Sequence, residues 1–185
     1  MRPGRPAKCF TALTALAGLL LSPLPAQAET AVGASFADMV LLGCIPATMT
    51  GTTIATYAKS AGLRQDPRLT SDLQKAVADT EVFVLPHTQT IIAWSPSTGC
   101  TVMSYGPVAP AMIQQITSMM AGDGAPFKSS PPTRKQNSDG TVATVQDFTG
   151  TIRDRTYAAM LTLNPEAQRG AKATFFIGQR APAKR

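Results

Sequence analysis

Histidine, cysteine and charged residues are scarce in this chain. Its 185 residues include one histidine, three cysteines and one tryptophan, and 15% of them carry a charge. The cysteines do not occur in the Cys-x-x-Cys spacing that lowers a thiol pKa, which argues against a redox pair. No serine lies in a Gly-x-Ser-x-Gly elbow or a Ser-x-x-Lys arrangement. The sequence therefore predicts no catalytic centre of these kinds and no cofactor.

Apolar runs long enough to span a bilayer are also missing. Residues 10–21 form an apolar run of about 12 residues, roughly 18 Å as a helix, against about 30 Å of bilayer hydrocarbon. Arg2, Arg5 and Lys8 precede this run, and an Ala-Gln-Ala sequence ending at Ala28 follows it. This order is typical of a secretory signal peptide, residues 1–28, cleaved after Ala28. We expect a periplasmic or secreted protein with no transmembrane anchor after cleavage.

Half of the net positive charge of the chain lies in the predicted signal peptide. The chain carries a net charge of +6, and three of its basic residues lie in the predicted signal peptide, which leaves +3 after cleavage. Nucleic-acid-binding proteins usually present a clustered basic face, so we expect no nucleic-acid partner. The remaining length suits one domain, residues 29–180, followed by a disordered basic tail at residues 181–185.

Two cysteines remain after cleavage, because Cys9 lies in the predicted signal peptide. An even pair in an exported protein is most simply a disulfide, so we predict a bond between Cys44 and Cys100.

The first half of the chain alternates between helical and extended patterns. An apolar stripe predicts a helix that begins after Ser35 and ends before Pro46, and similar spacing predicts helices at residues 50–61 and 71–78. Residues 81–85, 90–94 and 100–105 are rich in β-prone residues and predict a three-stranded meander.

The second half is predicted to contain one helix and further strands. A helix opens at Pro107 or Pro110 and ends at Gly122. Residues 125–140 form the best candidate for a mobile surface loop, with a short strand near Phe127. Strands follow at residues 141–148, 152–163 and 172–179, the last two as an antiparallel hairpin. The expected fold class is α+β, with short N-terminal helices and one central helix packed on an antiparallel sheet.

Three methionines, two of them adjacent, lie in the predicted central helix, and methionine is a soft metal ligand. Met112, Met119 and Met120 follow the apolar face of the predicted central helix. Thioethers can select Cu(I), but these positions are the ones that a helix needs for its core-facing side. We therefore predict a core role for the three residues and no metal site.

His87 is the single histidine and lies in the predicted turn after the first meander strand. A histidine at a turn is most often solvated, because general-base catalysis needs a nucleophile and an orienting group within hydrogen-bond reach. The alternative is a small hydrolase in which His87 meets Ser95, Ser104 or an acid only in the folded protein.

Four basic residues are candidates for binding. Arg153 and Arg155 alternate along a predicted strand, which places both side chains on one face. The simplest account is a strand that begins in solvent, with acidic neighbours as charge partners. The alternative is a site for an anion or a partner. Arg134 and Lys135 lie in the predicted loop and are available to a partner.

One arrangement of residues resembles a group of known proteins. It consists of Phe36, Cys44, the pair Gly62-Leu63 and the pair Gly99-Cys100, which precedes a valine-containing strand. The order of these residues resembles the layout of small exported proteins of Gram-negative bacteria, mostly of unknown function. The resemblance implies periplasmic residence and a structural disulfide. No catalytic or binding residue is transferred by it.

These observations favour a non-catalytic accessory or binding protein. We expect it to contact an unknown periplasmic protein or envelope component through its sheet face or through residues 125–140. The small periplasmic hydrolase using His87 remains the alternative.

Overall fold

The computed structural model describes residues 35–86 and 88–180. The predicted signal peptide, His87 and the predicted basic tail lie outside the described residues. Within them, a nine-stranded antiparallel sheet carries a few helices, which confirms the α+β prediction. None of these helices is both long enough and apolar enough to cross a membrane.

The first helix, α1, covers residues 36–50 and changes its winding along its length. It consists of α-helical Phe36–Asp38, a π-helical segment Met39–Cys44 and α-helical Ile45–Thr50. Ser35 and Asp38 close its start as a capping box. The prediction that it ends before Pro46 was wrong. The amide of Ile45 donates to the carbonyl of Val40 in the widened turn just before Pro46, and the helix continues through the proline.

The next two helices differ from their predicted bounds. Helix α2, Ala55–Ser60, begins later than predicted because Gly51 ends α1 with φ of 71°. Helix α3, Pro67–Gln74, starts earlier than predicted, since Asp66 accepts a hydrogen bond from the amide of Leu69 and acts as its N-cap. The sequence Asp66-Pro67 is therefore a helix start, with the proline at the first helical position.

The central helix and most strands lie where the sequence predicts them. Helix α4 is Pro110–Ala121. Met120 is buried within it, but Met119 is 62% exposed, so the predicted core role of Met119 was wrong. The strands are β1 Arg64–Gln65, β2 Glu81–Val84, β3 Thr90–Ser95, β4 Gly99–Ser104, β5 Phe127–Ser129, β6 Thr133–Gln136, β7 Val142–Ile152, β8 Arg155–Leu163 and β9 Ala173–Gln179.

The strands form one sheet in the order β1-β2-β3-β4-β9-β8-β7-β5, and β6 also pairs with β7. The meander β2-β3-β4 and the hairpin β8-β9 are confirmed. The predicted short strand near Phe127 is confirmed as β5. The rest of residues 125–140 differs from the predicted loop, because β6 also forms there, and β5 and β6 occupy successive parts of the same edge of β7. The backbone groups of β7 are satisfied by these short strands, a pairing that local sequence does not reveal.

A buried row of side chains crosses the inner face of the sheet. It is made by cross-strand neighbours on β2, β3, β4, β9 and β8: Phe83, Ile92, Val102, Phe175 and Leu161. Helix α1 packs on this face, and the predicted disulfide joins Cys44 of α1 to Cys100 of β4, with Cα atoms 5.3 Å apart. Both cysteines are fully buried, so the bond ties helix to sheet inside the core.

The strand predicted at residues 152–163 is interrupted at its start. Arg153 and Asp154 have φ of 47° and 64° and form a two-residue turn between β7 and β8. Positive φ at both positions is the type I′ pattern, whose twist matches paired strands. The prediction that Arg153 and Arg155 share one strand face was therefore wrong, because only Arg155 belongs to the strand.

Candidate functional site

The four predicted binding residues do not come together. Arg155 lies at the start of β8 and borders a cleft, whereas Arg153 occupies the adjoining turn. Arg134 and Lys135 lie on the exposed edge strand β6. Charged side chains on an edge strand also discourage pairing with other chains, which gives these two residues a structural role independent of binding. Their binding role stays a prediction.

The cleft beside Arg155 has a volume of about 310 Å³ and is called the arginine cleft here. It is formed by the end of α1, the β3-β4 turn, the start of β8 and the end of β9. Its walls are lined by Ala47, Thr48, Gly51, Trp94, Ser95, Pro96, Ser97, Thr98, Gly99, Arg155, Gln179 and Arg180. Two of these residues are cationic and none is acidic.

Two glycines allow the β3-β4 turn to press against β9. Gly99 has φ of 112°, and a Cβ there would overlap the carbonyl oxygen of Ile177. A Cβ on Gly178 would lie 2.5 Å from the carbonyl oxygen of Thr98. Because larger residues would hold the two segments apart, both glycines set the shape of this wall of the cleft.

Hydroxyl groups line the same region. Ser95 is buried, and its Oγ lies 2.9 Å from Oγ of Ser97 and accepts a bond from the Ser97 amide. Thr48 differs, because its Oγ1 is buried and has no hydrogen-bond partner in the part of the chain that the structure describes. A buried hydroxyl without a partner is costly. Rotation of the Thr48 side chain toward the cleft would let a ligand bond to this oxygen and remove that cost.

The two arginines are held next to each other by the sheet. The amide of Arg180 donates to the carbonyl of Thr156, 2.8 Å away, which places Arg180 beside the start of β8. Among the described residues, neither Arg155 nor Arg180 forms an ion pair with a carboxylate. Guanidinium groups bind carboxylates and phosphates through two parallel hydrogen bonds, so this end of the cleft suits an anion.

The described residues do not bring the two candidate serines of the hydrolase alternative together. Ser95 and Ser104 lie at opposite ends of the β3-β4 pair, opposite Gly99 and Thr90. Ser104 is buried, and its Oγ accepts from Thr90 and donates to the carbonyl of Gly106. A histidine near one of these serines is therefore far from the other. His87 lies outside the described residues, and its catalytic role stays a prediction.

No group of three or more His, Cys, Asp or Glu side chains in residues 35–86 and 88–180 is arranged to hold a metal ion. The arginine cleft itself offers hydroxyl, amide and guanidinium groups, which suit hydrogen bonding to a ligand and not metal coordination.

The binding residues predicted from the sequence did not include Arg180 or Thr48. Arg180 lies at the basic end of the chain, and the sequence favoured a free tail there over contact with an anionic partner. Thr48 lies inside a helix, and no pattern in the neighbouring sequence marks it as a binding residue. Its role as a candidate follows from the lack of a hydrogen-bond partner for its hydroxyl among the described residues, which only the tertiary structure shows.

Comparison of the chain with family models, curated proteins and solved structures finds no match.

Proposed function

We propose that this protein is a non-catalytic binding protein that holds a small, hydroxyl-bearing anion in the arginine cleft. The observation that carries the proposal is the pair Arg155 and Arg180, which border a cleft without any acidic lining residue. Neither guanidinium is neutralised by a carboxylate among the described residues, so each is available to an incoming anion.

The other walls of the cleft favour a ligand with hydroxyl groups. The C-terminal end of α1 borders the cleft, and the last carbonyls of a helix accept hydrogen bonds from donors outside it. Because this end of the helix dipole is negative, it suits the hydroxyls of a ligand, and the anionic group belongs at the two arginines. The hydroxyl of Thr48 needs a partner as well. A sugar acid or sugar phosphate combines an anionic group with several hydroxyls and fits both requirements. Such groups are found in envelope components, the partner class expected from the sequence.

We also propose that the protein works in the periplasm or outside the cell. The signal-peptide pattern at residues 1–28 and the Cys44–Cys100 disulfide support this proposal. N-terminal sequencing of the fractionated protein should find Glu29 as the first residue. Recovery of a membrane-bound protein that retains Met1 would contradict export by cleavage.

Calorimetric titration with glucuronate and glucose tests the cleft, because the two sugars share a ring and differ in the carboxylate. Glucuronate should bind the wild type more tightly than glucose. Arg155→Gln should weaken glucuronate binding by about tenfold or more, since a charge-assisted hydrogen bond is lost. Arg64→Gln removes the same charge from exposed β1, which does not line the cleft, and should leave the affinity unchanged.

A second variant probes the hydroxyl. Thr48→Val keeps the shape of the side chain and removes an oxygen that has no partner among the described residues, so the fold should be retained. Binding of glucuronate should nevertheless weaken. Equal affinities for the two sugars, or equal effects of Arg155→Gln and Arg64→Gln, would refute the proposed site.

A further inference from the structure

A second cavity lies at the other end of β9 and is independent of the arginine cleft. It has a volume of about 300 Å³ and is enclosed by the segment before α4, the first turn of α4, the end of β8 and the start of β9. We call it the proline pocket. Its lining residues are Pro107, Val108, Pro110, Ile113, Leu163, Pro165, Lys172 and Ala173.

The lining is apolar apart from one cation. Lys172 is the only charged residue among the eight, and it forms no ion pair with a carboxylate in the described part of the chain. Its backbone is held in place, because its amide donates to the carbonyl of Ser104 and its carbonyl accepts from the amide of Asn164. The backbone of Lys172 is therefore fixed at the rim of the pocket, and its long, flexible side chain lets the ammonium group reach a ligand held there.

The walls of the pocket are already formed. Three prolines restrict the backbone around it, and Val108, Ile113 and Leu163 pack against the hydrophobic core. A preformed apolar cavity binds without ordering its own loops, which lowers the entropic cost of binding. The volume lies at the small end of the range for ligand pockets, so it suits a small molecule.

A second positive feature lies in the same wall. Helix α4 begins at Pro110 and has 12 residues, and its N-cap residue Ala109 provides no side-chain cap. The positive end of the helix dipole is therefore not neutralised by a cap and adds to the charge of Lys172.

We propose that the proline pocket binds an amphipathic carboxylate, with the apolar body between Val108, Ile113 and Leu163 and the carboxylate at Lys172. The combination of an apolar cavity and one cation without an ion-pair partner among the described residues specifies this chemistry. A neutral apolar molecule would leave Lys172 without a partner, and a strongly polar anion would leave the apolar walls unfilled. This site is separate from the proposed anion site, since no residue lines both.

Octanoate and octanol, which have equal chain lengths and different charges, distinguish the parts of this proposal. Two-dimensional NMR of the wild type should show octanoate-dependent shifts in residues 107–113 and 163–173. Lys172→Met should weaken octanoate binding by about fivefold to tenfold because one charge-assisted contact is lost, and octanol binding should not change. Lys128→Met removes an exposed lysine from β5 and should have no effect on either ligand.

Two further variants test whether the probes bind inside the proline pocket and whether this binding is independent of the arginine cleft. Ile113→Trp should fill the pocket and abolish the binding of both probes. Arg155→Gln should leave octanoate affinity unchanged, which separates a failure here from a failure of the arginine cleft. Absence of octanoate shifts in these two segments at millimolar concentration, or equal octanoate affinities of the wild type and Lys172→Met, would overturn the proposal.

Discussion

Tyr57 shows how burial of one polar group couples stability to pH. Burial, with a smaller contribution from the Asp38 carboxylate, raises the pKa of Tyr57 to about 12. Its ring occupies the space beside Gly43, where a Cβ would lie 2.8 Å from the aromatic carbons. The hydroxyl is buried and has no hydrogen-bond partner among the described residues. The ring therefore packs well, while its hydroxyl is a cost to the fold.

We predict that the free energy of unfolding falls as pH rises from about 10 to about 12, partly because of Tyr57. The unfolded chain releases the phenol proton near pH 10, and the folded protein retains it up to about pH 12, so high pH favours unfolding. Tyr57→Phe should reduce this fall, and at pH 7 it should leave stability unchanged or raise it. Urea denaturation from pH 7 to pH 11.5 measures both effects.

Tyr105→Phe serves as the control for Tyr57, because Tyr105 is 41% exposed. At pH 7 it should leave the stability close to that of the wild type, because its hydroxyl is in contact with water. A clear loss of stability in Tyr57→Phe at pH 7 would mean that the Tyr57 hydroxyl makes a favourable bond, against the present account.

The backbone of the β7-β8 hairpin is strained in its two-residue turn. Arg153 and Asp154 both adopt positive φ, a conformation that costs most residues other than glycine about 1 to 2 kcal/mol each. The turn nevertheless determines where β8 begins, and so it sets the position of Arg155 at the arginine cleft. A local cost is therefore retained in a turn that orients a candidate ligand-binding residue.

We predict that Asp154→Gly stabilises the protein by about 0.5 to 1 kcal/mol, because relief of strain exceeds the extra entropy of glycine in the unfolded chain. Asp154→Ala removes the same charge and keeps a Cβ at positive φ, so it should give no gain. Denaturant midpoints of the two variants provide the measurement. Equal stabilisation by both would assign the effect to charge and not to the backbone.

At the scale of the whole molecule, the disulfide joins the two layers of the core. It links α1 to β4 across a separation of 56 residues in sequence. Both cysteines have no exposed surface, so the bond is enclosed by the packing that it supports. In the chain-entropy account, closing a loop of this length restricts the unfolded chain more than the folded one.

We predict that the double variant Cys44→Ala/Cys100→Ala retains the fold and loses about 2 to 4 kcal/mol in its free energy of unfolding. Circular dichroism should be similar to that of the wild type at 25 °C, and guanidinium unfolding should show the loss. Wild type that has been unfolded, reduced and refolded in reductant should show a similar decrease. Unchanged stability in both samples would show that the crosslink contributes nothing.

The sequence determined those features that depend on local pattern or on cysteine parity. The meander β2-β3-β4 follows from β-prone runs separated by turn residues, and α4 follows from an opening proline and a closing glycine. The disulfide follows from an even pair of cysteines in a chain with an export pattern.

The tertiary structure decided those features in which distant segments override or complete a local signal. Helix α1 continues past Pro46 after a π-helical segment, and β6 forms in a segment predicted as a loop because it pairs with β7. The arginine cleft combines four separate parts of the fold, and Thr48 matters there because it lacks a partner among the described residues. Burial and missing hydrogen bonds are properties of the packed molecule, so no local pattern in the sequence encodes them.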